Sequence, residues 1–166
     1  MIEAIPLNIA SYEYVVSRSP FVVRRKVRWS DCDPAGVVFT GKFVEYVLNF
    51  ASLFYAELAQ GAKPMEWLHS LGVVMPVKGM EFEFHGALWP EDEFDLSGHV
   101  LEIREHSFDI AIEGAQADGR RVMSARFSPI CIRSDARVRA PIPPQLLQAL
   151  ERFRPPKTSL NSGSPL

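Results

Sequence analysis

From Phe21 the stretch FVVRRKVRW alternates loosely between apolar and polar side chains, is rich in β-branched and aromatic residues, and stops at Ser30, which predicts a strand. Between Lys42 and Leu58 the period changes. Apolar side chains recur at Phe43, Val44, Val47, Leu48, Ala51, Phe54, Tyr55 and Leu58, the i, i+3, i+4 spacing of a helix, and Tyr46, Phe50 and Leu53 widen the stripe. A helix apolar around so much of its girth has to be wrapped, not merely laid on a core. Gly61 supplies its stop, and Pro64 opens a short helical turn through Met65, Trp67 and Leu68 that ends at Gly72. Beyond Gly72 the period of two returns. Residues 80–84, 94–103, 107–113 and 121–132 read as antiparallel strands joined by hairpins, with the turn clusters WPED and ADGR between them. Pro129 cannot donate to a ladder, so the last strand bulges there or lies at an edge. Three prolines, at 141, 143 and 144, then lead into a short amphipathic helix, QLLQALERF.

One strand, one long apolar helix and four further strands amount to an α+β protein with the helix packed on an antiparallel sheet. Residues 1–20 lack a clear period and read as an N-terminal extension, 21–153 as a single domain, and 154–166, with the composition of disorder, as a flexible tail. Apolar residues at 47% and charged residues at 23% fit a packed core. The 18 basic and 20 acidic side chains are interspersed, with no Lys/Arg run dense enough for nucleic acid or a membrane surface. No segment approaches the roughly 20 apolar residues that span a bilayer, and Glu3, Pro6, Asn8 and Glu13 interrupt any signal-peptide pattern. Cys32 and Cys131 stand far apart with no CxxC pair, which predicts a reducing, cytoplasmic location and neither a disulfide framework nor a zinc site. The four histidines, 69, 85, 99 and 106, have no metal-ligand spacing, so no metal is expected.

The break between the first strand and the long helix, WSDCDPAGVVF (29–39), concentrates the candidate chemistry. An Asp-x-Asp before a helix is commonly an Asx turn or an N-cap, and the proline and glycine around it make a tight turn. In this setting, however, DCDPAGVVF resembles the signature of the 4-hydroxybenzoyl-CoA thioesterase family, in which the first strand ends in Asp-Cys-Asp-Pro-Ala-Gly and the helix follows. The likeness continues through Gly72 and Pro76, the strand EFEF, the segment WPEDEF, IREHSF at 103–108 and RVRA at 137–140, so it covers roughly 21–153. It implies a single hotdog fold, a curled antiparallel sheet of about five strands wrapped around one long central helix. It further implies hydrolysis of an acyl-CoA thioester to the free acid and coenzyme A, with no cofactor, since coenzyme A is part of the substrate. By the same resemblance Asp33 matches the catalytic carboxylate, and the backbone amide of Thr40 matches the donor to the thioester oxygen. Arg104, His106 and Arg139 fall where that family places cations for the coenzyme A phosphates. A homodimer or homotetramer with a site shared between subunits is implied as well.

The chemistry is sound apart from the resemblance. A thiolate whose conjugate acid has a pKa near 8.5 leaves without a strong general acid, so the reaction needs a nucleophile or base and an oxyanion site. A helix N-terminus supplies unpaired N–H groups and partial positive charge. An aspartate, with an ordinary pKa of about 3.9, is ionised but a poor base, so Asp33 as nucleophile and Asp33 as activator of water both stand. Asp31 reads as structural, and Cys32 has no histidine near it in sequence to activate it. Glu45 reads as a solvated or interface residue. Where the family has an aromatic residue and an asparagine at the helix start, this chain has Thr40, Gly41, Lys42 and Phe43. The pocket shape therefore does not carry over, an aromatic acyl group is only the first to try, and Phe39, Thr40 and Gly41 are the residues expected to select it, with Trp89 in the pocket or the core.

Two other readings share the fold: a non-catalytic acyl-CoA binding protein, and a dehydratase. The second is disfavoured, because Asp33 is followed five positions on by Val38 and not by a histidine, and no His-Phe-Pro-Gly string occurs. A magnesium phosphatase using Asp-x-Asp would place its aspartates after a buried parallel strand, whereas Arg28, Trp29 and Ser30 precede Asp31. GxSxG, P-loop and GxGxxG patterns are missing.

Overall fold

The computed structural model describes residues 12–155. Most of the expected N-terminal extension (1–11) and of the C-terminal tail (156–166) lies outside the described residues. Eight strands and three helices follow one another as β1 (Glu13–Arg18), β2 (Phe21–Lys26), α1 (Lys42–Leu58), α2 (Pro64–Ser70), β3 (Val73–Val74), β4 (Val77–Phe84), β5 (Glu93–Ile103), β6 (Phe108–Ala115), β7 (Arg121–Pro129), β8 (Ile132–Arg133) and α3 (Pro144–Glu151). Six strands form one curled antiparallel sheet in the order β1-β2-β5-β6-β7-β4, and β3 pairs with β8 apart from it.

The sheet curls because its inner face is bulky and continuous. Phe21 and Val23 of β2, Phe94, Leu96 and Val100 of β5, Ile110 and Ile112 of β6 and Val122 and Phe127 of β7 are all buried in one core cluster with α1. Phe43, Tyr46, Val47, Phe50, Ala51, Phe54 and Leu58 face them from the helix. Phe21 meets Phe50 and Phe54 edge to face at 5.3 Å, which locks helix to strand. Closest approach falls at Gly98 of β5, where an added Cβ would lie 2.4 Å from the Phe50 ring, so only glycine lets the helix sit this deep. Val44 and Leu48 of the predicted stripe are exposed, because the sheet wraps one side of the helix and leaves its outer face open.

Three sequence expectations need correction. The sheet has six strands, not about five, and the sixth, β1, lies within the segment that had no readable period. Its alternation is inverted: Glu13, Val15 and Ser17 are the half-buried positions, while Tyr14, Val16 and Arg18 point outward. Between β4 and β5 there is no hairpin. β4 pairs with β7 at the far edge, and the WPED segment is a crossover, held by Glu91 N–H donating to the Val27 carbonyl (3.0 Å) and Trp89 N–H to Asp92 (2.9 Å). Pro129 closes β7 opposite Val77, and the irregularity falls on the partner strand, between Val77 and Gly79. The strand expected over 121–132 therefore breaks there, and its end becomes β8. The β5-β6-β7 meander is hairpin-connected as expected. Among the described residues no helix is long and apolar enough to cross a membrane.

Candidate active site

After β2 the chain makes one 3-10 turn, Trp29–Asp31, and then doubles back on itself. Phe39 N–H donates to the Asp31 carbonyl (2.9 Å), Cys32 and Val38 form an antiparallel bridge, and Asp33 N–H donates to the Val37 carbonyl (2.9 Å). Pro34 takes the second position of the turn at the tip, which closes by Gly36 N–H to the Asp33 carbonyl (2.9 Å), with Gly36 in the left-handed region at φ 81°. The half-buried Asp33 carboxylate accepts Ala35 N–H on Oδ1 at 2.8 Å, an Asx turn, which leaves Oδ2 without a partner among the described residues. Val38 N–H donates to the Leu88 carbonyl (2.9 Å) and ties this loop to the β4–β5 crossover.

The two aspartates are unlike. Asp31 is buried, and its Oδ2 accepts Arg28 N–H (3.0 Å) and the Tyr46 hydroxyl (2.9 Å), with an Arg25 Nη at 3.7 Å and Lys42 Nζ 3.6 Å from Oδ1. Arg25, only 2% exposed, also pairs with Glu13 of β1 (3.1 Å) and lies 4.0 Å above the Tyr46 ring. Burial alone would push the Asp31 carboxyl up, but the Arg28 amide, the Tyr46 hydroxyl, Arg25 and Lys42 together hold it below the usual carboxylate range. Burial and the Asp31 charge push the Tyr46 phenol up in turn. Asp31 thus ties β1, β2 and α1 together behind the loop that presents Asp33.

Gly41 caps α1, and no side chain hydrogen-bonds the helix end. Lys42 and Phe43 donate back to the carbonyls of Phe39 (2.8 Å) and Thr40 (3.2 Å), whereas the amides of Thr40 and Gly41 find no acceptor among the described residues. Two unpaired donors therefore stand at the positive end of a helix of 17 residues. Beside them lies a cavity of about 240 Å³ lined by Val37, Val38, Thr40, Phe43, Phe84, Gly86, Ala87 and Leu88. Phe39 is 55% exposed, and its ring rests on Gly41, where a Cβ would come within 2.5 Å of it. Phe39, Gly41 and Trp89 are thus outside the cavity lining. Glu45 pairs with Lys42 (2.7 Å) at the exposed helix surface.

Arg104 and His106, two positions apart, and Arg139, more than thirty positions on, line one pocket of about 290 Å³ with Lys78, Glu105, Ser107 and Ile130. Lys78 was not readable from sequence, since only the pairing of β4 with β7 carries it there. Arg104 spends most of its fork internally, on Asp109 (2.6 and 3.0 Å), on Glu102 and on the Ser107 hydroxyl (3.0 Å). Arg139 has no side-chain partner among the described residues. Lys78 Nζ lies 3.3 Å from Ser107, and His106 keeps a buried Nδ1 with no hydrogen bond. This pocket is at the start of β4 and the Thr40 cavity is at its end. Phe84 lies six steps along the strand from Lys78, about 20 Å, so the two are not one site within a single chain.

Neither cysteine is poised to attack. Burial and the charges of Asp31, Asp33 and Asp92 push the Cys32 thiol up, and burial pushes that of Cys131 up to about 11. Among the described residues no three His, Cys, Asp or Glu side chains converge as a metal site.

The family model described as the thioesterase-like superfamily matches residues 27–150. Among solved structures, thioesterase superfamily protein from Jannaschia sp. CCS1 is 22% identical with a TM-score of 0.75, over 84% of this chain and 96% of that one. A 1,4-dihydroxy-2-naphthoyl-CoA thioesterase from Synechocystis is 21% identical (TM-score 0.69; 78% and 94% covered). The probable thioesterase YbaW from Escherichia coli is 13% identical (TM-score 0.70; 81% and 98% covered). At these identities the likeness is one of fold. A search of the curated proteins finds no match.

Proposed function

The chain belongs to the thioesterase-like superfamily, and with thioester hydrolysis as the premise we propose that its substrate is an acyl-CoA, cleaved to the free acid and coenzyme A through Asp33. The observation that carries this reading is the uncapped end of α1, with the Thr40 and Gly41 amides unpaired next to the Asp33 loop and an apolar cavity. Attack on the thioester carbon drives an electron pair onto the carbonyl oxygen. The Thr40 amide, aided by the helix dipole, is suited to hold that oxyanion, a donor worth about 3 kcal/mol in the transition state. The carbon–sulfur bond then breaks and coenzyme A leaves as thiolate. If Asp33 Oδ2 itself attacks, a mixed anhydride forms and water opens it. If Asp33 takes a proton from water, the acid forms directly. Both routes consume one water and release the same products.

The cationic pocket supports a coenzyme A substrate only in an assembly, because it lies at the wrong end of β4 for the same chain's Asp33. β4 is an edge strand, and among the described residues no strand pairs with its outer side. Antiparallel pairing of two copies about a two-fold axis near Glu81 would set each Lys78 beside the partner's Phe84. One subunit's Lys78 and Arg139 would then hold the phosphates of a thioester lying in the other subunit's cleft, which makes a homodimer the smallest complete enzyme.

The test is thiol release from a panel of acyl-CoAs by wild type and Asp33→Asn, with molar mass read by light scattering. A loss of at least about 10²-fold is expected for the variant, and full retained activity would remove Asp33 from the mechanism. Lys78→Ala and Arg139→Ala should raise KM about tenfold for CoA thioesters and leave the thioesters of a phosphate-free thiol, N-acetylcysteamine, unchanged. Equal effects on both would remove the phosphate role.

A further inference from the structure

The cavity beside Thr40 is mostly apolar. Val37, Val38, Phe43, Phe84, Ala87 and Leu88 line it, no ionisable side chain does, and its one side-chain hydroxyl is that of Thr40. Phe43 and Phe84 meet edge to face within it, their centroids 5.0 Å apart. Arg120, which reaches Ala87, is held by the Ala87 carbonyl (3.3 Å) and by Gln116. Within one chain the cations of Lys78 and Arg139 are about a strand's length away.

We infer that this cavity takes the acyl group, and that the substrates are thioesters of unsubstituted apolar acids, straight-chain or benzoyl-like, with up to about eight non-hydrogen atoms. Hydroxylated aryl and dicarboxylic acyl groups are excluded. The inference rests on the thioester reading above. About 240 Å³, at roughly 30 Å³ per non-hydrogen atom, the volume one water takes in the liquid, lets the walls cover about eight such atoms, and carbons beyond them extend into solvent and gain nothing. The polarity limit follows from the lining. A ring hydroxyl carried into this cavity leaves water for a lining whose one side-chain hydrogen-bonding group is the Thr40 hydroxyl; out of its reach the loss is roughly 5- to 150-fold, equivalent to about 1–3 kcal/mol. A second carboxylate fares worse, because no ionisable side chain lines the cavity and in the proposed dimer the partner's Lys78 is engaged by the coenzyme A phosphates. Each methylene, by contrast, gains about fourfold, the equivalent of about 0.8 kcal/mol, until the cavity is full.

The experiment compares two series on the full-length protein. The first measures kcat/KM for acetyl- through dodecanoyl-CoA, benzoyl-CoA, 4-hydroxybenzoyl-CoA and succinyl-CoA. The second measures the dissociation constants of the matching non-hydrolysable thioether analogues. Both should climb by about fourfold per methylene, stop climbing near eight non-hydrogen atoms, and favour benzoyl over 4-hydroxybenzoyl. Phe84→Ala, at a half-exposed position that does not threaten folding, should move the plateau to longer chains. Turnover with 4-hydroxybenzoyl or succinyl preferred, or a plateau that Phe84→Ala does not move, would overturn the acyl assignment and leave the hydrolase standing. Analogue binding in the expected order without turnover would overturn the hydrolase and leave the cavity assignment standing. Absence of both would overturn both.

Discussion

Replacing Asp31 by alanine should cost stability and spare chemistry, the reverse of what Asp33→Asn should do two residues away. The magnitude follows from what the substitution uncovers. Arg25 is 2% exposed and would lose one of its two carboxylate partners, while the Tyr46 hydroxyl and the Arg28 amide would lose their acceptor. Breaking a buried ion pair by removing one partner costs about 3–5 kcal/mol. Because Arg25 keeps Glu13 at 3.1 Å, the lower figure applies, about 3 kcal/mol. In a chain of 166 residues that lowers Tm by about 6–12 °C, at about 2–4 °C per kcal/mol. Catalysis should survive in the folded fraction, since the loop is closed by the Asp31 carbonyl, which accepts Phe39 N–H and which alanine retains. Thermal melts by circular dichroism, with thiol release assayed well below each Tm, read both quantities. A Tm within about 2 °C of wild type would mean that Asp31 is not the clamp described above. Abolished turnover at unchanged Tm would assign Asp31 the role given to Asp33.

Two further outcomes follow from titratable groups. Asp31 and Asp109, the latter gripped by Arg104 and Arg126, both have folded carboxyls below the ordinary range. Their stabilisation is therefore complete above the unfolded value of about 3.9 and is lost as pH falls through the lower folded values; melts between pH 6 and 2 should show Tm falling only below about pH 4, and less steeply for Asp109→Asn. Cys32→Ala should leave kcat unchanged, and a thiol reagent should label native protein at Cys32 alone, since Cys131 is buried with its thiol raised to about 11; rapid labelling of Cys131, or a dead Cys32→Ala, would contradict the burial and the roles assigned.

Where local chemistry decides an element, the sequence predicted it well. α1 runs from Lys42 to Leu58 as read, because its apolar stripe is long and glycines stand at 41 and 61 outside it. The meander of β5, β6 and β7 follows from alternation and short turns. Where pairing depends on a distant partner, the reading failed. β1 was invisible because the inward positions Glu13 and Ser17 are polar, and Glu13 makes sense there only once Arg25 of β2 is known to be buried opposite it. The WPED segment has the composition of a hairpin, and nothing within it tells that β4 has gone to the other edge.

The candidate site divides along the same line. Asp33 and Thr40 belong to one contiguous loop and helix start, so the groups proposed for chemistry could be picked out from a short string. The cavity is assembled by Val38 N–H reaching the Leu88 carbonyl and by β4 pairing with β7, which brings Phe84 and Ala87 to the helix end from more than forty positions along the chain. The Lys78 pocket needs β4 as well, and in the proposed dimer it needs a second copy. In the proposed mechanism, bond cleavage and choice of substrate therefore rest on different parts of the fold. A substitution at Asp33 should lower turnover of every thioester by a common factor, whereas one at Phe84 or Leu88 should reorder the acyl groups, and one at Lys78 should distinguish only between thiols with and without phosphate.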